Sequence, residues 1–470
     1  MQRPEIMQHY AALPEILYTH AEPQNVGAPH MAIANDALAD ALGIDRDWLH
    51  GAEALQFLAG NATPDHSLLA MAYAGHQFGG FNAKLGDGRA VLLGDIRLRD
   101  GTTRDLHLKG SGRTAYSRGG DGRATLSAML REYIVSEAMA ALGVPTTRTL
   151  AVVTTGEAVM RQRREKGAVL TRVAKSHVRV GTFQYLSVRG ENEAIRTLMN
   201  YEIARSMQGV SGAREFLRET LTRQAKLIAQ WLSFGFIHGV MNTDNAQIAG
   251  ETIDYGPCAF MDAFDPQKVF SSIDEFGRYA YDKQPTIGLW NMTRLAECLL
   301  PLLDENRDAA IKIAEAELGA FMPIFEAEFE RRMLAKLGIA DLSKAGFATK
   351  TLQQMANARA DFTRFFTALT RGEAVTDYFT SSLAHDEWLA EWKSLLPPEA
   401  TTLMQTHNPV YIARNHRVEA ALQAAEGDDF TPLYQLLEAV QKPFLARAEL
   451  AAFENAPLPQ EEVLQTFCGT

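Results

Sequence analysis

Residues His238–Asp262 read HGVMNTDNAQIAGETIDYGPCAFMD. Asn245 stands seven residues after His238, and the turn Asp254-Tyr255-Gly256 begins nine residues later. A carboxamide and a carboxylate offer the hard oxygen donors that Mg²⁺ takes one or two at a time from a protein, with phosphates supplying more. His238 fits a structural role, holding the loop through hydrogen bonds. Val240, two residues after it, has no group that can take a proton. Asp244 is the nearest carboxylate that can. Asp262 reads as a structural or N-capping carboxylate rather than a ligand.

This order resembles the catalytic and metal-binding segment of protein kinases. There the residue two after the His is an Asp that serves as base, whereas here Val240 fills the slot and Asp244 lies four residues past it. A chain that keeps the metal ligands and lacks that base is either inactive or uses ATP for a different transfer.

Working outward, Leu217, Leu221, Ala225, Ile228 and Leu232 predict a helix ending just before His238. Upstream, Ala90–Ile96 predicts a buried strand, Asp100-Gly101 a tight turn, and Leu106–Lys109 the return strand. A helix is predicted over 125–142, with Leu126, Met129, Leu130, Tyr133 and Ile134 on one face and Gly143 past its end. Strands follow near 149–154, 158–161 and 168–173, and short helices are predicted over Met31–Leu42 and Asp47–Leu58. The fold class implied is α+β: a kinase-like two-lobed fold with a β-rich N-lobe and a helical C-lobe. The expected parts are an N-terminal extension (1–65), a nucleotide-binding N-lobe (66–190), a helical C-lobe with the catalytic and metal loops (191–400), and a C-terminal helical segment and tail (401–470). The tail past Pro457 is expected to be poorly fixed.

The chain has 470 residues and a formal net charge of −11, which argues against a general nucleic-acid or anionic-membrane binder. No run of about 18 apolar residues predicts a membrane span. The first residues, MQRPEIMQHYAALPEILY, lack a basic start followed by an apolar core and so do not read as a secretory leader. Three cysteines, Cys258, Cys298 and Cys468, form neither a disulfide framework nor a CxxC zinc motif. A cytoplasmic protein is expected.

Several further residues point to phosphate chemistry. GHQFGGFNAKLGDGRA (75–90) is rich in glycine just before a strand, where backbone N–H groups can approach phosphates. Alone it is equally a glycine-rich hairpin; Arg89 favours the phosphate reading. Its GDGRA recurs at 120–124, placing Asp121 and Gly122 near a helix N-terminus, a site that favours anions although Asp121 also suits a simple cap. Lys109 ends a strand and Glu132 lies on the next helix, the pairing that grips ATP phosphates in kinases; Glu137 is a competing partner. Arg172 and Arg179 bracket TRVAKSHVR. They are surplus to a kinase site, and guanidinium forks match phosphate oxygens; a charged edge strand is the plainer alternative.

The chain resembles the selenoprotein O family of kinase-fold protein adenylyltransferases. The stretches that carry the resemblance are GHQFGGFNAKLGDGR, LHLKGSGRTAYSRGGDGRA, TRVAKSHVRVGTF, FIHGVMNTDN, TIDYGPCAFMD, RYAYDKQP with LWN, and NPVYIARN, in the family's order over 75–415. The resemblance implies that Gly86, Gly88, Arg89, Lys109, Asp121, Gly122, Arg172, Arg179 and Asp254 contact ATP. It implies that Glu132 orients Lys109, Asn245 and Asp254 bind Mg²⁺ or Mn²⁺, and Asp244 accepts the proton. It further implies an ATP bound the other way round from a kinase, with AMP passing to Ser, Thr or Tyr hydroxyls of proteins linked to redox homeostasis. ATP and protein substrates are the partners expected, with no nucleic acid and no membrane. Two positions depart from the family: Lys283 stands where Asn is frequent, and Cys468 stands where animal members carry selenocysteine. A disulfide between a C-terminal Cys and one past the metal turn, implied by the resemblance, would here join Cys258 to Cys468.

Two alternatives stand beside AMP transfer. One is a phosphotransferase of the small-molecule-kinase type, against which Val240 counts. The other is a non-catalytic ATP-binding scaffold, against which the retained Asn245 and Asp254 count. The sequence leaves open ATP or UTP as donor, the target proteins, the acceptor residue and the oligomeric state.

Overall fold

The computed structural model describes residues 3–467. Its β structure begins with Tyr18–His20 (β1), His30–Ala34 (β2) and Leu69–Met71 (β3), followed by a small hairpin of Gly75–Gln77 (β4) and Gly80–Asn82 (β5). Ala90–Arg97 (β6), Thr103–Lys109 (β7), Ala124–Thr125 (β8), Arg148–Met160 (β9) and Arg164–Ala174 (β10) come next. All except the small hairpin join one antiparallel sheet in the order β1-β3-β6-β7-β10-β9-β2, with β8 pairing β10. The first 65 residues thus supply both outer strands, β1 and β2. Two short strands, Phe236–Ile237 (β11) and Ala259–Phe260 (β12), form a separate ribbon that frames the His238–Asp254 loop.

Helices Asp36–Leu42 (α1), Arg46–Leu49 (α2) and Ala52–Leu58 (α3) precede Leu126–Ala141 (α4). Val180–Ser187 (α5), Asn192–Ser206 (α6), Gly212–Ser233 (α7) and Gln284–Leu303 (α8) follow, and further helices run from Arg307 to Val440. The predicted α7 stripe is buried throughout, and the helix stops five residues before His238. Among the described residues no helix is long and apolar enough to cross a membrane.

Four local readings change. The helix predicted over Asp47–Leu58 is two, α2 and α3, broken at His50-Gly51. The helix predicted over Met31–Leu42 begins only at Asp36, because Met31 and Ile33 pair with Val153 and Val152 of β9 and the Asn35 side chain caps α1 through the Leu38 N–H at 3.0 Å. The strands predicted at 149–154 and 158–161 are one strand, β9. Gly156 absorbs the expected break at φ +72, and a bulge opposite it lies between Lys166 and Ala168. The tail expected to be loose is tied at Thr466, which is 2% exposed. Its N–H donates to Phe270 O at 2.8 Å and its hydroxyl to Pro257 O at 2.5 Å.

Helix α4 also differs from a one-faced amphipathic helix. Thr125 caps it, so Asp121 does not. The helices at 415–426 and 431–440 pack on it in addition to the sheet, and even its charged residues are buried. Arg131 donates to Gly256 O and Cys258 O, to Asn415 and to Glu419, at 2.7–2.9 Å. Each buried charge is thereby matched, as burial demands.

Candidate active site

A cavity of about 310 Å³ is lined by Gly86, Gly88, Arg89, Lys109, Asp121 and Gly122 from the β-rich half. Arg172, Arg179, Asp244, Asn245 and Asp254 complete it. Every residue read above as contacting ATP, metal or a proton therefore faces one space. Glu132 stands behind it, and Lys109 Nζ donates to Glu132 Oε2 at 2.7 Å. Glu137, the competing partner, is taken by Arg148 at 2.6 Å.

The cluster at the centre is a four-membered ion network. Arg172 Nε donates to Glu132 Oε1 at 2.7 Å, and both Lys109 and Arg172 reach Asp254 Oδ1, the latter at 3.4 Å. Arg172 lies in β10 between β7 and β9, which excludes the edge-strand alternative. Burial alone would raise the Asp254 carboxyl, but the Lys109 ammonium and then Arg172 outweigh it and hold the group well below the usual carboxylate range. The same balance, with Arg172 the main cation, lowers Glu132. Asp254 takes φ +69, a conformation that Asp adopts more readily than most residues but that still marks a constrained site.

The loop that carries the remaining groups is held from several sides. His238 Nε2 donates to Ile253 O at 2.9 Å while Nδ1 accepts the Val240 N–H at 3.3 Å, a neutral ring acting as a brace; burial lowers its pKa, in keeping with that state. Gln284 bonds the His238 N–H and Phe236 O, both at 3.0 Å, and Asn291 donates to Met241 O at 3.0 Å. Asn242 Oδ1 accepts from Tyr279 at 2.7 Å and from the Phe78 N–H at 3.2 Å. These contacts explain why RYAYDKQP and LWN accompany the loop in the sequence. Lys283 itself is exposed.

Asn245 donates its amide to Val240 O at 3.0 Å, which leaves its side-chain oxygen to face a cation. Together with Asp254 it forms a two-oxygen donor set, the number Mg²⁺ or Mn²⁺ takes when phosphates provide further ligands. Among the described residues no group of three or more His, Cys, Asp or Glu is arranged to hold a metal alone. The residues therefore fit a metal that arrives with a nucleotide.

Asp244 is 8% exposed. Its Oδ2 accepts from Gln77 at 3.2 Å and its Oδ1 has no partner. Burial pushes its pKa up to about 6, the range suited to a general base at neutral pH.

Residues not singled out from sequence also line the cavity. Asp87, inside the first GDGRA, is 2% exposed and accepts from Met71 N and His107 Nε2, each at 3.0 Å, with Arg179 at 3.8 Å. Tyr73 lies under the Arg179 guanidinium at 4.2 Å. Arg161 holds Asp121 at 2.7 Å, so the second GDGRA uses its Asp for a half-buried pair where the first uses it in the core. The repeat itself was the signal for Asp87; nothing in the sequence linked Arg161 to Asp121. Seven Lys and Arg side chains line the cavity against four Asp. In a chain of net charge −11, that local excess suits a polyphosphate. Cys258 is fully buried with its thiol pushed up to about 12; Cys468 lies outside the described residues.

A cationic cleft that sets two oxygen donors beside one neutral-range carboxylate suits a nucleotide-handling transferase. The family profile described as "Protein adenylyltransferase SelO" matches residues 3–441, and the chain belongs to that family. It is 50% identical over 482 residues to "Protein nucleotidyltransferase YdiU" of Rhodopseudomonas palustris strain BisB5, covering 98% of each chain. It is likewise 50% identical over 481 residues to the protein of that name from Bradyrhizobium diazoefficiens, again with 98% of each covered.

Proposed function

We propose that the protein transfers AMP from ATP to hydroxyl side chains of other proteins. Oxygen of a Ser, Thr or Tyr hydroxyl forms a bond to the α-phosphorus, the bond from that phosphorus to the β-phosphate bridge breaks, and pyrophosphate leaves. Asp244 accepts the hydroxyl proton. Lys109, Arg172 and Arg179 hold the phosphates of the leaving group, in a fixed array whose donors need no reorganisation as charge develops. Glu132 keeps Lys109 and Arg172 in place. Bound Mg²⁺ or Mn²⁺, held by Asn245 and Asp254, would neutralise phosphate charge. On this reading residues 66–190 and 191–400 are the two lobes of a kinase-like arrangement, flanked by the 1–65 and 401–470 segments.

What supports AMP transfer over phosphoryl transfer is the position of the base. The slot a kinase uses is Val240, 4% exposed and without a titratable group, while the carboxylate raised to about 6 is Asp244. Incubation with a protein acceptor and ATP labelled at the α- or γ-phosphate separates the readings. Label from the α position alone supports AMP transfer. Label from the γ position alone would refute it, and no label from either would indicate a scaffold.

A further inference from the structure

A second cavity, of about 380 Å³, opens where the start of β7, the end of β10, α6 and α7 meet. It shares no lining residue with the nucleotide cavity. Arg104, Lys175, Arg205, Arg223 and Lys226 line it, and no Asp or Glu does. Ion pairs account for two of the five cations. Arg205 meets Asp105 at 2.5 Å and Asp95 at 3.2 Å, and Arg223 meets Glu219 at 2.7 Å. Arg104 donates to its neighbours Thr102 and Thr103. Lys175 gives Glu251 its backbone N–H at 2.8 Å, not its ammonium.

Arg205 shows that the wall is built rather than incidental. Its side chain is 8% exposed and is further fixed by the Tyr201 hydroxyl and Lys175 O, each at 2.9 Å. Its Nε, buried, has no partner. The fixed Arg205 guanidinium stands beside the exposed Lys226 and the half-buried Arg104 and Lys175, which make no direct ion pair among the described residues, with the buried Glu251 as the carboxylate that Lys175 and Arg104 act on. Together these cations give the cavity a positive face that suits phosphate oxygens. No aromatic ring lines the cavity, so nothing there would stack a base.

We propose that this cavity is an anion site for a small oligophosphate, recognised through its phosphates alone. The inference does not depend on which transfer the first cavity performs.

Calorimetric titration of the full chain with inorganic pyrophosphate, without divalent metal, tests it. Wild type is expected to bind two equivalents, one per cavity. Lys175→Gln/Lys226→Gln should weaken one event by roughly tenfold or more, since a hydrogen bond to a charged group contributes about 1.5–3 kcal/mol. AMP transfer and melting temperature should stay at wild-type values. Arg104→Gln, on the neighbouring strand, should weaken the same event, and Lys109→Gln the other. A single equivalent in wild type, or two undiminished in the double variant, would overturn the proposal. So would displacement by sulfate at equal concentration, which would mark a site for a single oxyanion. Tighter binding of ATP than of pyrophosphate at this event would show base or sugar recognition and overturn it equally.

Discussion

A β-carbon placed on Gly75 would overlap the Asp244 carboxylate and reach Leu85 Cδ1 at 2.7 Å. Strand β4 and the loop that carries Asp244 are thus packed so closely that only a residue without a side chain fits. Gly75→Ala should push the carboxylate aside without unfolding the chain, because the clash falls on side-chain atoms. A displacement near 1 Å in a catalytic group can cost on the order of 10²-fold in rate. Transfer rate and melting temperature measured together check this: a large loss in the first with a small change in the second is expected.

The pKa of about 6 on Asp244 sets a pH dependence. A base acts only when ionised, so kcat/KM should rise with pH through about 6 and level off above it. Asp244→Asn should remove both the activity and that limb. A wild-type profile flat from pH 5 to pH 8 would show that another group takes the proton.

The same raised pKa predicts a stability effect of opposite sense. Folding disfavours the charged carboxylate, so the folded state holds its proton to higher pH than the unfolded chain does. The penalty is absent below the unfolded value and fully present above about 6. Asp244→Asn should therefore stabilise the protein at pH 7.5, by an amount on the order of 2–3 kcal/mol at one pKa unit per 1.36 kcal/mol. The gain should fade as pH drops toward 4. Denaturant midpoints at pH 4 and 7.5 measure it.

Much of this site was legible because spacing carries chemistry. Lys109 and Glu132 could be paired from the sequence, since a strand end and the next helix bring them together, and Asn245 and Asp254 follow from the loop. The repeated GDGRA was legible as a motif but not as two different uses of one Asp. Whether Asp87 or Asp121 is buried depends on partners distant in sequence, His107 in β7 and Arg161 just past β9. The N-terminal strands were missed for a related reason. Met31–Leu42 has helical composition, and only pairing with β9, more than a hundred residues away, makes His30–Ala34 a strand. The further burial of α4 was equally hidden, because the covering helices lie past residue 414.

Glu132 holds two cations with a side chain 3% exposed. Glu132→Gln keeps the shape and removes the charge, leaving Lys109 and Arg172 to share Asp254. Removing one partner of a buried pair typically costs about 3–5 kcal/mol. A lowered denaturant midpoint and a raised KM for ATP are expected together. Saturating ATP should recover part of the stability, since phosphates would supply the missing negative charge. A variant with unchanged KM would show that Lys109 does not depend on Glu132 for its position.

Asp254 tests the metal assignment. Its loss leaves Glu132 bonded to both Lys109 and Arg172, so Asp254→Ala should fold. It should not transfer AMP, because Asn245 alone cannot supply the charge that a divalent ion requires beside the phosphates. Asp254→Asn should fail as well: it keeps an oxygen but loses the charge that balances the two cations. Transfer from α-labelled ATP, titrated with Mg²⁺ and with Mn²⁺, reads this directly. If Asp254→Ala is folded and active at either metal, the ligand lies elsewhere; if its activity returns only at high metal concentration, Asp254 contributes affinity and Asn245 still binds.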